Sequence, residues 1–346
     1  MVGTFKVVTM SSAVEEGVID IFNDHFYDAG KVNVDGSVLK CWKSGGHGDQ
    51  TFLQVLQNSC NPGFVKLGQL LGKEKLFSYI DKFGFGNKTG IDLSGEATGI
   101  LFPMNKVGNV ELATTAFGQG ISVTPIQQVA AVSAVVNGGV LYKPYIVKGI
   151  STNTNSSVKE FSKKKVRRVI SEKTSEIMRL ALESVVAYGG GKSAYIEGYR
   201  VGGKTGTAQK VKDGAYMVGN YILSFMGFLP ADDPKIVVYV AINNPKKTVQ
   251  YGGVVSAPIA KNILTDAINA LGIERRENTS EKKYNWNDRK YYTVENVVGK
   301  SPKEAQSILS KYNIEYSGSG NVVIEQSPKA GTRLEEQSVV RLMLGN

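Results

Sequence analysis

The chain has 346 residues, of which 42% are hydrophobic and 21% are charged, as expected of a globular protein with a large core. It contains no apolar run of about 18 residues, so the sequence predicts no transmembrane helix. Its net charge of +10 favours anionic partners. No helix-turn-helix, zinc-finger or aromatic–basic pattern accompanies the basic residues, and we therefore expect no nucleic-acid partner.

Helical patterns dominate the first half of the chain. A mostly uncharged helix at the start carries a single lysine, Lys6. Polar stretches such as "STNTNSSVKEFSKKK", residues 151–165, predict an exposed loop or an edge hairpin. Helical spacing, often with proline near the start and glycine near the end, is found in "TFLQVLQNSC", "NPGFVKLGQLLGKEKLFSYIDKFGFG", "TPIQQVAAVSAVVNGG" and "SEKTSEIMRLALESVVA".

Three successive strands follow, in "YRVGGKTGTAQKV", "YILSFMGFLP" and "KIVVYVAINN", and the helix "APIAKNILTDAINALG" comes after them. Helices followed by consecutive strands indicate an α+β domain with an antiparallel sheet, which we place at residues 1–272. Residues 273–291 are charged and poor in aliphatic side chains, as in a linker. Residues 292–346 predict a second compact unit, with a capped helix over 301–311 and then three short strands.

The stretch "VGGKTGTAQ" carries groups suited to binding an anionic peptide end. Lys204 and Thr205 could hold a carboxylate, and Gly206 would let a substrate pair closely with the strand. The N–H of Thr207 could donate to an oxyanion. The GKT triplet could instead indicate a phosphate loop, but that motif opens a helix, whereas this segment is predicted as a strand.

The Ser59–Asn61 pair and Lys6 indicate no function when each is considered alone. Ser59 and Asn61 in "NSCNPGF" could simply cap a helix, since both residue types do so readily. Lys6 could be a solvated surface lysine, although its neighbours Phe5 and Val7 are apolar.

Two cysteines and two histidines, Cys41, Cys60, His25 and His47, lie within a short part of the chain. Their irregular spacing lacks the short ligand pairs of most structural zinc sites, so we expect no metal. A Cys41–Cys60 disulfide cannot be inferred from spacing, and a pair of small buried thiols is an equal alternative.

In chain order, Lys6, Ser59–Asn61 and Lys204–Gly206 resemble the S-x-x-K, S-x-N and K-T-G motifs of penicillin-binding transpeptidases and serine β-lactamases. Longer stretches, including "FGFGNKTGIDLSGEATGI", "AFGQGISVTPIQ" and "YGGVVSAPIAKNIL", are similar to class B penicillin-binding proteins across residues 3–265. Residues 292–346 resemble a PASTA domain. The resemblance implies a penicillin-binding/serine β-lactamase-like α+β fold, whose first strands would precede residue 1, followed by a small α+β PASTA domain.

The resemblance also implies a function. Family members are peptidoglycan D,D-transpeptidases, which cross-link stem peptides ending in D-Ala-D-Ala through an acyl-serine, bind β-lactams and use no cofactor. They work at the extracytoplasmic face of the cell membrane, with a membrane glycosyltransferase of the division or sporulation machinery as partner. The chain shows no signal or anchor of its own, so these would have to lie in sequence outside it.

Individual roles follow from the same resemblance. Lys6 would be the general base, and Ser59 would pass a proton to the leaving amine. Asn61 would bind the substrate amide and orient Lys6. The strand Lys204–Thr207 would bind the substrate carboxylate and line the cleft, with the N–H of Thr207 in the oxyanion hole.

The first motif departs from the family pattern. Members usually read P-G-S-T-F-K, whereas this chain reads M-V-G-T-F-K, which puts Gly3 at the position of the nucleophilic serine. Thr4 is about 100° further around the helix, so its hydroxyl should point away from Lys6. Other S-x-x-K matches begin at Ser156, Ser162 and Ser280, in polar surroundings after Ser59.

The missing serine leads us to expect an inactive member of a D,D-transpeptidase lineage. The alternative is a non-catalytic cell-wall binding or scaffold protein that keeps the cleft and the PASTA domain. A β-lactamase is disfavoured, because it needs a deacylating base and no PASTA domain is expected in one. Cys41 and Cys60 form a candidate redox pair, since a disulfide at Cys60 would displace its neighbours Ser59 and Asn61.

Overall fold

The computed structural model describes residues 2–153, 157–212, 215–246, 248–276, 291–335 and 338–346. The α-helices in these ranges are α1 (Val2–Glu15), α2 (Phe52–Asn58), α3 (Asn61–Lys82), α4 (Asn109–Ala116), α5 (Pro125–Val136), α6 (Glu172–Ala187), α7 (Gly252–Leu271) and α8 (Pro302–Ile308). The strands are β1 (His25–Asp28), β2 (Lys31–Val34), β3 (Ser37–Lys40), β4 (Gly48–Thr51), β5 (Val140–Lys143), β6 (Gly149–Ser151), β7 (Ser157–Glu160), β8 (Lys164–Arg168), β9 (Gly202–Lys212), β10 (Ala215–Leu229), β11 (Ile236–Asn243), β12 (Tyr291–Thr293), β13 (Asn313–Gly318), β14 (Val322–Ser327), β15 (Arg333–Glu335) and β16 (Val339–Gly345).

Helix α1 is the central element of the larger unit. Every residue from Gly3 to Ala13 is buried, and the helix packs against α3, α5 and β9. An apolar sequence without a polar face suits a helix surrounded by protein on all sides. Lys6 is therefore a core residue and not a solvated one.

The predicted antiparallel sheet has the strand order β11-β10-β9. In its register Lys204 pairs with Met226 and Gly206 with Ser224, and Phe225 pairs with Val240. Strand β9 contacts α1, α6 and α7. Since β9 lies at the edge of the described sheet, its outer backbone groups face the region where α1 begins.

Strands β1 to β4 were not predicted from the sequence. They are four residues each, with β1 pairing β4 and β2 pairing β3. Asp35 and Gly36, with φ of 47° and 82°, turn the chain between β2 and β3 as expected of an Asp-Gly hairpin. The hairpin predicted over 151–165 is confirmed for its described part, where β6 pairs β7; Ser156 lies outside the described residues.

The C-terminal unit has its own core, which includes Val297, Leu309, Val340 and Leu342. Helix α8 begins after Ser301 in a capping box, as predicted. The expectation of three strands after this helix is wrong, because four strands, β13 to β16, follow it in the described residues. The extra strand, β15, has only three residues. Most of the predicted linker, including Ser280 and Lys283, lies outside the described residues.

The two units touch beside the loop that precedes α7. The guanidinium of Arg341 lies 4.1 Å from the ring centre of Tyr251, and its Nε is 3.0 Å from a carboxylate oxygen of Glu315. The hydroxyl of Thr248 donates to Glu325 at 3.3 Å. Among the helices that the structure describes, none is both long and apolar enough to cross a bilayer.

Candidate active site

Lys6 lies at the centre of the site. Its Nζ donates to the carbonyl oxygen of Ser59 at 2.7 Å and to Oδ1 of Asn61 at 2.7 Å, and it lies 3.1 Å from Oγ of Ser59. The ring centre of Phe64 is 5.1 Å away. Burial lowers the pKa of Lys6 to about 8, because the charged amine loses its hydration. The residue therefore has an accessible neutral form, as a general base requires.

Ser59 presents two oxygens to Lys6 because of its backbone conformation. It ends α2 in the left-handed region, with φ 55° and ψ 37°, which is uncommon for a residue with a side chain. The hydroxyl bonds to lysines and not to a helix N–H, and Cys60, not Ser59, occupies the N-cap position of α3. The simple capping interpretation of Ser59 and Asn61 does not describe their contacts.

Lys204 approaches the same hydroxyl from the sheet. Its Nζ lies 2.8 Å from Oγ of Ser59 and 3.2 Å from the carbonyl oxygen of Thr205. Burial, and then the charge of Lys6, lowers the pKa of Lys204 well below its usual value. Two buried amines thus converge on one hydroxyl. Their mutual repulsion disfavours the state in which both amines are protonated.

Gly3 marks a difference from the cleft that the sequence led us to expect. A methyl group added there would overlap the carbonyl oxygen of Thr205 and come within 2.6 Å of Cα of Gly206. Conversely, a Cβ at Gly206 would lie 3.3 Å from the backbone nitrogens of Gly3 and Thr4. The start of α1 and strand β9 are packed backbone against backbone, so the cleft is closed where the nucleophile would stand.

The neighbouring threonines are placed differently. The Thr4 hydroxyl lies beside Tyr239 of β11 and is not among the hydrogen-bond partners of Lys6, as expected from its position on the helix. Thr205 is half-buried, and Oγ1 of Thr207 accepts from the N–H of Gly252 at 3.2 Å. The roles of Thr205 and Thr207 in binding a carboxylate or an oxyanion stay predictions.

A second polar cluster adjoins the site and was not recognised from the sequence. Cys41 and Cys60 are both free and buried, and they meet His47 and Asp28 so that the four ligand atoms lie within 4.8 Å of one another. His25 lies elsewhere, paired with Asp49 at 2.8 Å. Spacing alone missed this grouping because strands β1 to β4 fold the intervening chain back on itself. Oxidation of the two cysteines stays a prediction.

Comparisons with known proteins agree with this geometry. Residues 3–265 match the penicillin-binding protein transpeptidase domain, and residues 292–346 match the PASTA domain. The chain is 60% identical over 342 residues to stage V sporulation protein D of Bacillus subtilis, covering 99% of this chain and 53% of that protein. It is 32% identical to penicillin-binding protein PbpB of Mycolicibacterium smegmatis, over 70% of this chain and 38% of that one. The chain spans 53% of the length of the first of these relatives and 38% of the second.

Solved structures show the same fold. Penicillin-binding protein 3 of Mycobacterium tuberculosis, complexed with aztreonam, superposes with a TM-score of 0.72 at 29% identity, covering 79% of this chain and 62% of that one. The transpeptidase domain of Burkholderia pseudomallei penicillin-binding protein 3 gives 0.71 at 30% identity, covering 80% and 81%. The transpeptidase match covers about three quarters of this chain, residues 3–265, and the lysine–serine–asparagine cluster is in place. The chain therefore belongs to the class B penicillin-binding proteins, with a transpeptidase domain followed by a PASTA domain.

Proposed function

We propose that this chain carries the active-site framework of a peptidoglycan D,D-transpeptidase and that, with glycine at position 3, it does not form an acyl-enzyme. The observation that supports this most directly is the convergence of Lys6 and Lys204 on Ser59, with Asn61 accepting a further hydrogen bond from Lys6. Each of these residues stands at a position that the family motifs predict. The nucleophilic oxygen is missing from this framework, because residue 3 is glycine.

Each of these side chains has a role in the proposed transpeptidation reaction. A hydroxyl at position 3 would lose its proton to the neutral amine of Lys6 while its oxygen attacks the carbonyl of the penultimate D-Ala. The C–N bond to the terminal D-Ala then breaks, and Ser59 returns a proton to that leaving amine. An amine from a second stem peptide resolves the ester, forming the cross-link. β-Lactams would enter by the same attack on their ring carbonyl.

Substrate binding is assigned to β9. An extended peptide could pair with this edge strand by backbone hydrogen bonds, with its terminal carboxylate next to Lys204 and Thr205. Gly206 suits such close approach because it has no side chain to obstruct the peptide. Within the sheet, a Cβ there would also lie 2.5 Å from Oγ of Ser224 on β10. Because β9 now contacts α1 at Gly3, peptide binding requires the strand to move away from the helix.

Without a nucleophilic oxygen, no acyl-enzyme can form. In serine proteases, removal of the nucleophile lowers the rate by about a millionfold. The second candidate function is therefore non-catalytic binding of cell-wall peptides or β-lactams by the same framework. The glycine at position 3 and the attached PASTA domain favour it. In either case we place the protein at the extracytoplasmic face of the cell membrane, where peptidoglycan is assembled, with a membrane glycosyltransferase of the division or sporulation machinery as its partner.

Labelling with a fluorescent penicillin separates the two functions. We expect no covalent label on the chain with Gly3, even after prolonged incubation and denaturing electrophoresis. Equilibrium binding of a D-Ala-D-Ala peptide, followed by calorimetry, would support the binding function. A covalent adduct, mapped to any residue by mass spectrometry, would contradict the proposed lack of acylation.

A further inference from the structure

The PASTA domain meets the transpeptidase domain through an arginine of β16. Arg341 stands between two core residues, Val340 and Leu342, so its side chain lies on the opposite face of the sheet. It pairs with Glu315 of β13 in the parallel register, and its Nε lies 3.0 Å from a carboxylate oxygen of Glu315. The guanidinium lies 4.1 Å from the ring centre of Tyr251. Arg341 thus connects the second domain to the residue that precedes α7.

This contact is largely shielded from water. The side chains of Arg341 and Glu315 are only 23% and 13% exposed. Burial raises the pKa of the Tyr251 phenol and of the Glu315 carboxyl, because their charged forms lose hydration. The ring centre of Trp42 is a further 5.9 Å from the same guanidinium. A cation–π contact is stronger when the cation is removed from water, so Arg341 contributes more here than a solvated arginine would.

The start of α7 links this contact to β9. Tyr251 is the N-cap residue of α7. The next residue, Gly252, donates its N–H to Oγ1 of Thr207 at 3.2 Å. A Cβ at Gly252 would overlap the carbonyl oxygen of Gly206. The first residue of α7 and the K-T-G strand are therefore packed backbone against backbone.

We propose that Arg341 is a positioning residue for the substrate-binding strand. By contacting Tyr251, it fixes the start of α7 and thereby the Gly206–Thr207 segment of β9. The inference rests on the proposed function, in which β9 pairs with the peptide and the N–H of Thr207 faces the oxyanion. Arg341 itself touches neither the substrate nor the reacting atoms.

A purely structural role for Arg341 makes a different prediction. In that role the guanidinium only neutralises Glu315, and its loss would affect the PASTA domain alone. In the positioning role its loss also affects the transpeptidase domain, because the start of α7 keeps its bond to Thr207 but loses the ring contact at Tyr251. The two roles therefore differ in which domain responds to the same substitution.

Hydrogen–deuterium exchange of the full chain separates these roles. Arg341→Ala should speed exchange at residues 204–208 and 251–257 by about 2- to 30-fold, the factor that corresponds to one cation–π contact in the opening equilibrium. Lys311→Ala is the matched control, since Lys311 lies 3.8 Å from the ring centre of Tyr292 inside the PASTA domain. It removes a cation–π contact that does not join the domains and should leave both segments unchanged.

A double variant keeps the test valid if Arg341→Ala unfolds the PASTA domain. Arg341→Ala combined with Glu315→Gln removes the buried charge that would otherwise lack its partner. This variant should retain parental exchange at the PASTA core, residues 297–309 and 339–343. Exchange at residues 204–208 and 251–257 should still be faster than in the parent, because the contact with Tyr251 is absent.

Penicillin labelling supplies the functional readout. In the Gly3→Ser background, Arg341→Ala should slow acylation by about 2- to 30-fold, whereas Lys311→Ala should not. If Gly3→Ser itself takes no label, the proposed function fails, and the exchange measurements still decide whether Arg341 positions β9.

Three results would overturn the proposal. The first is faster exchange confined to residues 292–346 in both Arg341 variants, which would leave Arg341 a role in the PASTA fold alone. The second is an equal increase at residues 251–257 in Lys311→Ala. The third is an unchanged acylation rate in Gly3→Ser/Arg341→Ala despite faster exchange in β9, which would mean that the position of this strand does not limit the reaction.

Discussion

Position 3 offers the sharpest test of how the site is built. We compare Gly3→Ser, which supplies a nucleophilic oxygen, with Gly3→Ala, which adds the same Cβ without it. In both variants the new atom meets the backbone of Thr205 and Gly206, and backbone atoms cannot turn aside as a side chain can. Strand β9 must therefore move away from α1.

The expected magnitude follows from overpacking. Added carbon in a closely packed interior costs about 1–3 kcal/mol, and a domain of this size class loses about 2–4 °C in melting temperature per kcal/mol. Both variants should thus melt about 2–12 °C lower than the parent. The movement of β9 should also open the space that a substrate strand needs.

Fluorescent-penicillin labelling supplies the second readout. Gly3→Ser should gain a covalent label, whereas Gly3→Ala and the parent should not. A folded Gly3→Ser variant without label would refute the assignment of Lys6 and Ser59 to an acylation site. An unchanged melting temperature in Gly3→Ala would refute the close backbone contact between α1 and β9.

The remaining predictions use the same assays. In the Gly3→Ser background, labelling should rise about tenfold per pH unit up to about pH 8 and then level off, because only the neutral amine of Lys6 can accept the proton; a flat profile would exclude Lys6 as the base. Adding Lys6→Met should abolish labelling while keeping the fold. Arg341→Ala should leave the buried carboxylate of Glu315 without its cation and lower the melting temperature; the double variant with Glu315→Gln should recover most of the loss, and no recovery would mean that the pair is not coupled. Ser171→Ala removes the N-cap of α6 and should cost about 1 kcal/mol in denaturant unfolding, so an unchanged midpoint would show that the cap contributes nothing.

Elements with strong local signals could be predicted from the sequence. Helix α5 begins at Pro125 after a Thr124 capping box, and the β-branched alternation of β11 gives a strand. Strands β1 to β4 could not be predicted in this way, because each has four residues and their apolar positions are too few to establish a period. Their pairing depends on contacts between distant segments, which local patterns do not contain.

The sequence predicts which residues form the candidate site but not how they are arranged in space. The order of Lys6, Ser59, Asn61 and Lys204 along the chain identifies the residues that converge. The closure of the cleft at Gly3 depends on how β9 packs against α1, which lies about two hundred residues earlier in the chain. No sequence motif predicts that packing. The grouping of Asp28, Cys41, His47 and Cys60 was missed for the same reason, since it depends on the fold of β1 to β4.

The arrangement of Lys6, Lys204, Ser59 and Asn61 has a physical cause that does not require catalysis. Lys6 and Lys204 have been removed from water, and each buried amine must keep hydrogen-bond acceptors or lose about 1–3 kcal/mol per unpaired group. Ser59 and Asn61 accept from Lys6, whereas the hydroxyl of Ser59 and the carbonyl of Thr205 accept from Lys204. The left-handed turn at Ser59 presents its carbonyl and hydroxyl together. Loss of the oxygen at position 3 leaves these bonds untouched, since none of them involves that residue. The framework can therefore persist when residue 3 is glycine. Under the proposed function, the lysine–serine–asparagine cluster reports binding geometry, whereas the group at position 3 decides whether acylation occurs.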